Sequence, residues 1–585
     1  MPKNNEIPPK KSSVERKRRL PRTPGGFSIN FCRNPHCELY GEMPNPFDGR
    51  GRGIQGNGRV VGSGEDRTYV CPSCGKYHIV KSNTGILEEY ARLRKTFGNL
   101  HFPSCQNLAC QNHGVPIHLA KLAYAKFGKT ASGDPRYRCN TCRQTFSVGA
   151  PTRRHKKTHE TGSILKNLVN KVPLSRMCEI NNVNFQHIYS KIDFIEQQCL
   201  KFGNRREVDL ADCFSGTSPF FATDAQVIHV NWQVRSRRGS VPMIHTATVH
   251  QGSQYVVSST MDYDPDVQPE DLDEWMAVNG DFTLPRSMRK QARLWSHREY
   301  AESVARYNND IISEDDLMVG GDLQLPGVGS RVRTDIAAYA HLMQVKKRVG
   351  KWYRSATYCL DMDSVLGAAA SAIWVDDIKK HSVNIAQIDF QKNLTSDQKQ
   401  ALSRQGKAKH RQMLDELSVE VAAILGQNSD LTSTEALVAV LLERLEDSLD
   451  QEERGKRLME DGMPWPFHTQ GEPNKKIKLW TDFGQHTRVE LAQILCRASI
   501  HPVDAYFAVV RRRVAGFDRG LQTGSNRRRT WYAYAFYDPN MVVKIINILR
   551  FYYNYMVAGS DGRTPAMRLG LARGVIYERD LFSLV

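Results

Sequence analysis

PFFATDAQVIHVNWQV, residues 219–234, is a β-type run with an acid, Asp224, set inside it. Two further runs of the same type follow, VPMIHTATVHQG (241–252) and YVVSSTMDYD (255–264). Polar turns separate the three, which predicts an antiparallel meander. A charge within a strand is costly unless it is paired or holds a metal ion; the plain alternative is an edge position facing solvent.

Downstream, helix and strand alternate. DIAAYAHLMQVKKRV (335–349) predicts a helix, ATYCLD (356–361) a strand, SVLGAAASAIWVDDIKK (364–380) a helix and SVNIAQIDF (382–390) a strand. Three strands and then this alternation is the element order of an RNase H-like domain. Residues from 395 onward are rich in Leu, Glu, Lys and Gln without strand signals and read as a helical insertion. Helices are predicted again near 286–310 and at 486–498, 502–515 and 539–557.

A nuclease or transferase of that fold needs carboxylates from separate elements, holding two divalent ions about 4 Å apart. Hard oxygen ligands suit Mg²⁺ or Mn²⁺. Asp224 is the first candidate. Asp361 closes the candidate fourth strand; Asp363, two residues on, points the same way if the strand continues, and either can instead cap the next helix. In HPVDAYFAVVRRRVAGF (501–517), Asp504 stands near a helix start, where the helix dipole offers it another role.

Toward the N-terminus, eight cysteines fall into a two-part unit that occurs twice. Cys32-x4-Cys37 precedes Cys71-x2-Cys74, and Cys105-x4-Cys110 precedes Cys139-x2-Cys142. The repeat extends beyond the cysteines: CRNPHCELYG matches CQNLACQNHG, and TYVCPSCGKYH matches YRCNTCRQTFS. Four thiolates in tetrahedral array suit Zn²⁺, so two structural zinc ribbons are expected. Disulfides are the competing reading, but no signal-like apolar segment precedes the cysteines. The remaining five, Cys178, Cys199, Cys213, Cys359 and Cys496, read as small core residues.

Between these regions the pattern is helical. SILKNLVNK (163–171) and LSRMCEI (174–180) lead to Asn184, a cap for FQHIYSKIDFI (185–195). Helix, short turn and helix, with Val183 in the turn, predicts a helix-turn-helix. Phe185, Ile188, Tyr189 and Ile192 are expected inward. Gln186, His187, Ser190 and Lys191 are expected outward, where they can meet base edges or phosphates. An ordinary three-helix packing unit is the alternative.

Composition agrees with a nucleic-acid partner. The chain has 585 residues and a formal charge of +19, a field that attracts polyanions. Hydrophobic residues make up 40%, as in globular proteins, and no run of 18 apolar residues predicts a membrane span. The expected layout is a multidomain α/β protein. It has a disordered basic arm (1–26), zinc ribbons (27–95 and 100–150) and a helix-turn-helix (160–200). An RNase H-like core follows in two parts (205–394 and 481–585), around a mainly helical insertion (395–480). Residues 48–67 form a Gly-rich insert in the first ribbon.

From Cys105 onward the chain resembles bacterial insertion-sequence transposases of the DDE class. The second ribbon and the helix-turn-helix stand where such families place them. VVKIINILRFYYNYMVAGSDGRTPAMRLGLA (542–572) looks like the usual ending, with Tyr552, Tyr553 and Asn554 ahead of Thr564, Pro565 and Ala566. In that class the third acid starts the helix upstream of this ending, with a basic residue about two turns later; Asp504 and Arg511 occupy those positions. The departures are an Asp where Glu is usual, a long gap between Asp361 and Asp504, and the doubled ribbon.

The resemblance implies a divalent-metal-dependent DNA nucleotidyltransferase, with Asp224, Asp361 and Asp504 holding Mg²⁺ or Mn²⁺. Ribbons and helix-turn-helix would bind element ends, and Arg511, Arg512, Arg513 and Arg527–Arg529 would neutralise phosphates. A homo-oligomer on DNA and a bacterial cytoplasmic, nucleoid-associated location would follow. The competing expectation is a non-catalytic DNA-binding protein derived from a transposase.

Overall fold

The computed structural model describes residues 19–45, 58–62, 66–98, 102–153, 155–231, 240–300, 328–446, 451–518, 521–522 and 530–584. The first eighteen residues of the expected basic arm, most of the Gly-rich 48–67 insert, residues 301–310 and Arg527–Arg529 lie outside them. The chain forms two compact units, residues 1–85 with 276–292 and residues 86–275 with 293–585.

The first unit holds a three-stranded antiparallel sheet of Arg59–Val61, Thr68–Val70 and Tyr77–Ile79. Its small core gathers Leu20, Tyr69 and Val80 around Cys32, Cys37 and Cys71. The segment 276–292 returns to this sheet, where Arg286 Nη1 pairs with Asp66 Oδ2 at 3.1 Å.

The second unit opens with the same design: Tyr124–Lys129, Pro135–Cys139 and Thr145–Ser147 in antiparallel order around Tyr124 and the second set of cysteines. Three helices follow: α1 (Glu160–Leu168), α2 (Leu174–Asn181) and α3 (Phe185–Arg206). Asn182 takes the left-handed conformation that ends α2, and the Asn184 side chain accepts from the His187 N–H to start α3.

The main body is a mixed seven-stranded sheet. Its strands are β1 (Phe220–Asn231), β2 (Ser240–His250), β3 (Val256–Met261), β4 (Ala356–Asp361), β5 (Val383–Asp389), β6 (Met463–Pro464) and β7 (Lys476–Leu479). They lie in the order β6-β7-β5-β4-β1-β2-β3. The meander β1–β3 is antiparallel; β4 runs parallel to both β1 and β5. Helix α4 (Thr334–Val349) and α5 (Ser364–Ile373) supply the crossovers. From one face, α4 presents His341 to Thr248 and Thr260.

Helices α6 (Ser396–Glu416), α7 (Ser418–Gln427), α8 (Ser433–Glu446) and α9 (Gln451–Glu460) form the insertion. The insertion expected over 395–480 is mainly helical, and its last part also adds β6 and β7 to the sheet edge. They are too short to carry a legible alternation. The insertion closes on itself: the Gln391 N–H donates to the Pro473 carbonyl at 3.0 Å, and Asn474 Nδ2 to Gln391 Oε1 at 2.8 Å.

Beyond it come α10 (Arg488–Arg497), α11 (His501–Arg513) and α12 (Pro539–Tyr555). Helix α11 packs on β1 and β2 from the face opposite α4, where Phe507 meets the His245 ring at 5.2 Å. Helix α12 covers β3, whose backbone is bound by the Asn554 amide: Oδ1 accepts from the Val256 N–H and Nδ2 donates to its carbonyl. Thr564 then caps the short helix that begins at Pro565. Among the described residues, no helix is long and apolar enough to cross a membrane.

Candidate functional site

β1 and β4 run side by side, and the last paired residues are Thr223 and Leu360. Asp224 and Asp361 are each one residue further on, so they emerge together where β4 ends and β1 continues. Asp224 is turned to the face covered by α11, and Asp504 lies in the first turn of that helix.

The electrostatics report the same neighbourhood. Burial, then the charge of Asp361, raises the Asp224 carboxyl to about 8; Asp504 adds to the rise and Lys392 opposes it. Burial, then Glu472 and Asp361, raises the Asp504 carboxyl, against His501 and Lys392. Lys392 Nζ lies 3.0 Å from Asp361 Oδ2. Acids from β1, β4 and α11 thus lie within electrostatic reach of one another, and Lys392, paired with Asp361, acts on all three. Asp363 is not part of this group: its Oδ1 caps α5 by accepting from the Val365 and Leu366 N–H groups.

The surroundings fix these acids in place. Glu472 is buried, with its Oε1 accepting from Ser499 Oγ and the Ile500 N–H and its Oε2 2.9 Å from Lys475 Nζ. It therefore holds the turn from which α11 starts. At the other end of α11, Arg511 Nη1 donates to Gln226 Oε1 at 2.5 Å. Gln226 Nε2 meets His245 Nδ1 at 2.9 Å, and His245 Nε2 meets Ser259 Oγ at 2.7 Å. Arg511 thus ties the helix of Asp504 to the strand of Asp224. Arg512 is exposed and donates to the Ala508 carbonyl of its own helix; Arg513 reaches Asn170.

Lys392, Glu472, Gln226 and His245 carried no sequence signal. Each is a single polar residue in an ordinary run, and only the crossing of elements makes it a neighbour. The apolar run around Asp224, the strand end at Asp361 and the helix start at Asp504 were the separate signals for the three acids.

Hard carboxylate oxygens fit Mg²⁺ or Mn²⁺, and an ammonium already sits among them as a cation. Among the described residues, only the two cysteine groups bring three or more donor atoms within 4.8 Å of one another. The oxygens of Asp224, Asp361 and Asp504 do not all come within 4.8 Å of one another.

The cysteines form two compact tetrads, Cys32, Cys37, Cys71, Cys74 and Cys105, Cys110, Cys139, Cys142. Sγ separations of 3.6 Å (Cys32 to Cys74 and Cys37 to Cys71), 3.4 Å (Cys105 to Cys142) and 3.7 Å (Cys110 to Cys139) approach the roughly 3.8 Å edge of a tetrahedron with 2.3 Å Zn–S bonds. Every cysteine of the chain is a free thiol. Burial opposes ionisation of Cys139, yet the Asn112 amide and the Cys142 and Thr141 N–H groups outweigh it and bring the thiol to about 6. Each tetrad could hold a zinc ion.

On α3 the expected outward set is only partly outward. Gln186 and Ser190 are exposed. His187 Nε2 lies 3.0 Å from Glu160 Oε2. Lys191 is a correction: it is 4% exposed, and its ammonium donates to the Lys156 carbonyl at 2.9 Å. Phe185 and Tyr189, expected inward, are instead 46% and 37% exposed. The helix is twice as long as the stretch its sequence marked, and its buried stripe runs through Ile188, Lys191, Ile192, Ile195 and Cys199. That longer stripe turns Phe185 and Tyr189 out and draws the lysine stem in.

The chain matches no family model and no curated protein sequence.

Proposed function

We propose that this chain is a DNA transposase of the DDE class, with an RNase H-like core and the acid set Asp224, Asp361 and Asp504. The observation that carries the reading is that Asp224 and Asp361 emerge from adjacent strands on which the helix of Asp504 packs, so three elements of one core each bring an acid. The net charge of +19, and a cysteine tetrad followed in the chain by a three-helix segment, support DNA as the partner.

Two divalent ions at this site would supply the charge that activates the attacking oxygen and stabilises the leaving one. The protein's part is to hold three carboxylates on rigid elements, with Arg511 and Glu472 fixing α11 at both ends. In the first step water adds to phosphorus and loses its proton to solvent. The 3′-oxygen leaves with the bonding pair and is protonated. In the second, that 3′-hydroxyl attacks a phosphodiester of target DNA and a new 3′-hydroxyl is released, so the number of diester bonds is conserved. The ribbons would be structural, and Gln186 and Ser190 of α3 remain the best placed for base edges. Binding of two DNA ends would call for a homo-oligomer.

Nicking of supercoiled plasmid in Mn²⁺ tests this. The wild-type chain is expected to nick, and Asp224→Asn, Asp361→Asn and Asp504→Asn each to lose at least about a thousandfold in rate. A folded wild-type chain that binds DNA but never nicks would instead be a DNA-binding protein without catalysis.

A further inference from the structure

Lys392 stands at the mouth of the carboxylate cluster, three residues after β5 ends and three before the Thr395 cap of α6. Its ammonium is 3.0 Å from Asp361 Oδ2. Its charge also acts on Asp224 and Asp504, so all three acids lie within its electrostatic reach. The side chain is 52% exposed and its Nζ passes 5.8 Å from the Phe390 ring. It is a solvent-facing arm whose tip lies in the acid cluster, not a buried structural ion pair.

Charge balance decides what such an arm does. Without metal, the ionised acids of the cluster attract the ammonium, Asp361 most directly. With two divalent ions in place the cluster carries a net positive charge, and the ammonium is repelled from Asp361. The anion then available at the same mouth is the phosphodiester held by the ions, and a Lys on a flexible stem can turn to it without backbone movement.

Resting on the transposase reading above, we infer that Lys392 is a phosphate-binding catalytic residue. It occupies the acid cluster as a counter-ion before the metals bind, then transfers its hydrogen bond to a non-bridging oxygen of the scissile phosphate. This assigns the β5–α6 connector, and hence the entrance of the insertion, to the substrate. Lys392 supplies charge that grows in value as the pentavalent phosphorus forms.

The test has two readouts on the full chain. Mn²⁺ binding is followed by the electron paramagnetic resonance signal of the free ion, and plasmid nicking is measured at saturating Mn²⁺. Lys392→Gln should bind Mn²⁺ about tenfold more tightly, because no ammonium competes. It should nick about a hundredfold more slowly, with Lys392→Arg partly restoring the rate. Unchanged nicking by Lys392→Gln at saturating Mn²⁺ would overturn the assignment, whatever happens to affinity. Unchanged Mn²⁺ affinity would overturn the counter-ion role. Failure of the transposase reading looks different: Asp224→Asn would then bind Mn²⁺ as well as the wild type, and the wild type itself would not nick.

Discussion

His245 and His341 are buried imidazoles on opposite faces of the central meander, each held at both ring nitrogens. Burial lowers both to about 3. In the unfolded chain a histidine titrates near 6.5. Both rings stay neutral in the fold while the unfolded chain takes up protons, so their contribution is complete above pH 6.5. It is lost progressively as pH falls toward 3. At pH 5 the loss is about 2 kcal/mol for each ring. Urea midpoints at pH 7.5 and pH 5 should show His341→Gln less stable at both but losing about 2 kcal/mol less on acidification. An equal loss in both proteins would refute the linkage. At this scale the sequence was legible where a residue contradicted its surroundings. Asp224 did so; Lys392, one lysine in a polar connector, did not. Lys191 misled because a short window mistook the edge of an apolar stripe for its centre.

The turns of the two cysteine repeats differ at one position that matters. After the second cysteine pair the chain enters the left-handed region, at Gly75 (φ 69°) in one repeat and Arg143 (φ 63°) in the other. In both, that residue's N–H closes the turn onto the first cysteine of the pair, Cys71 or Cys139. An L side chain there costs roughly 1 kcal/mol that glycine avoids. Arg143→Gly should therefore raise the denaturation midpoint of the second ribbon, and Gly75→Ala should lower that of the first, each by about 1 kcal/mol. Circular dichroism of the zinc-loaded chain during thermal unfolding would read both. Long elements such as β1, β2 and α12 were legible because period and length agree over many residues. β6 and β7 were not, since two and four residues cannot display a period, and β5, which β7 joins, lies far back along the chain.

Across the molecule, structure is unevenly supported. The sheet and its helices bury a large apolar core, whereas each ribbon has only a handful of apolar residues around its thiols. Metal should therefore carry the ribbons and not the body. About two zinc ions per chain are expected, and chelation should open residues 27–95 and 102–150, with 276–292, to protease while the seven-stranded sheet and its helices stay resistant. Uniform resistance after complete zinc removal would contradict this.

The layers were legible from element order. How distant acids meet was not, because Asp361 and Asp504 are separated by the whole insertion. Gln391 and Pro473 meet backbone to backbone, so that excursion leaves and re-enters the sheet through one doorway. Its length then costs the core only the slowly growing entropy of a closed loop. A change in the length of the excursion can therefore leave the sheet, and the acids at its strand ends, in place.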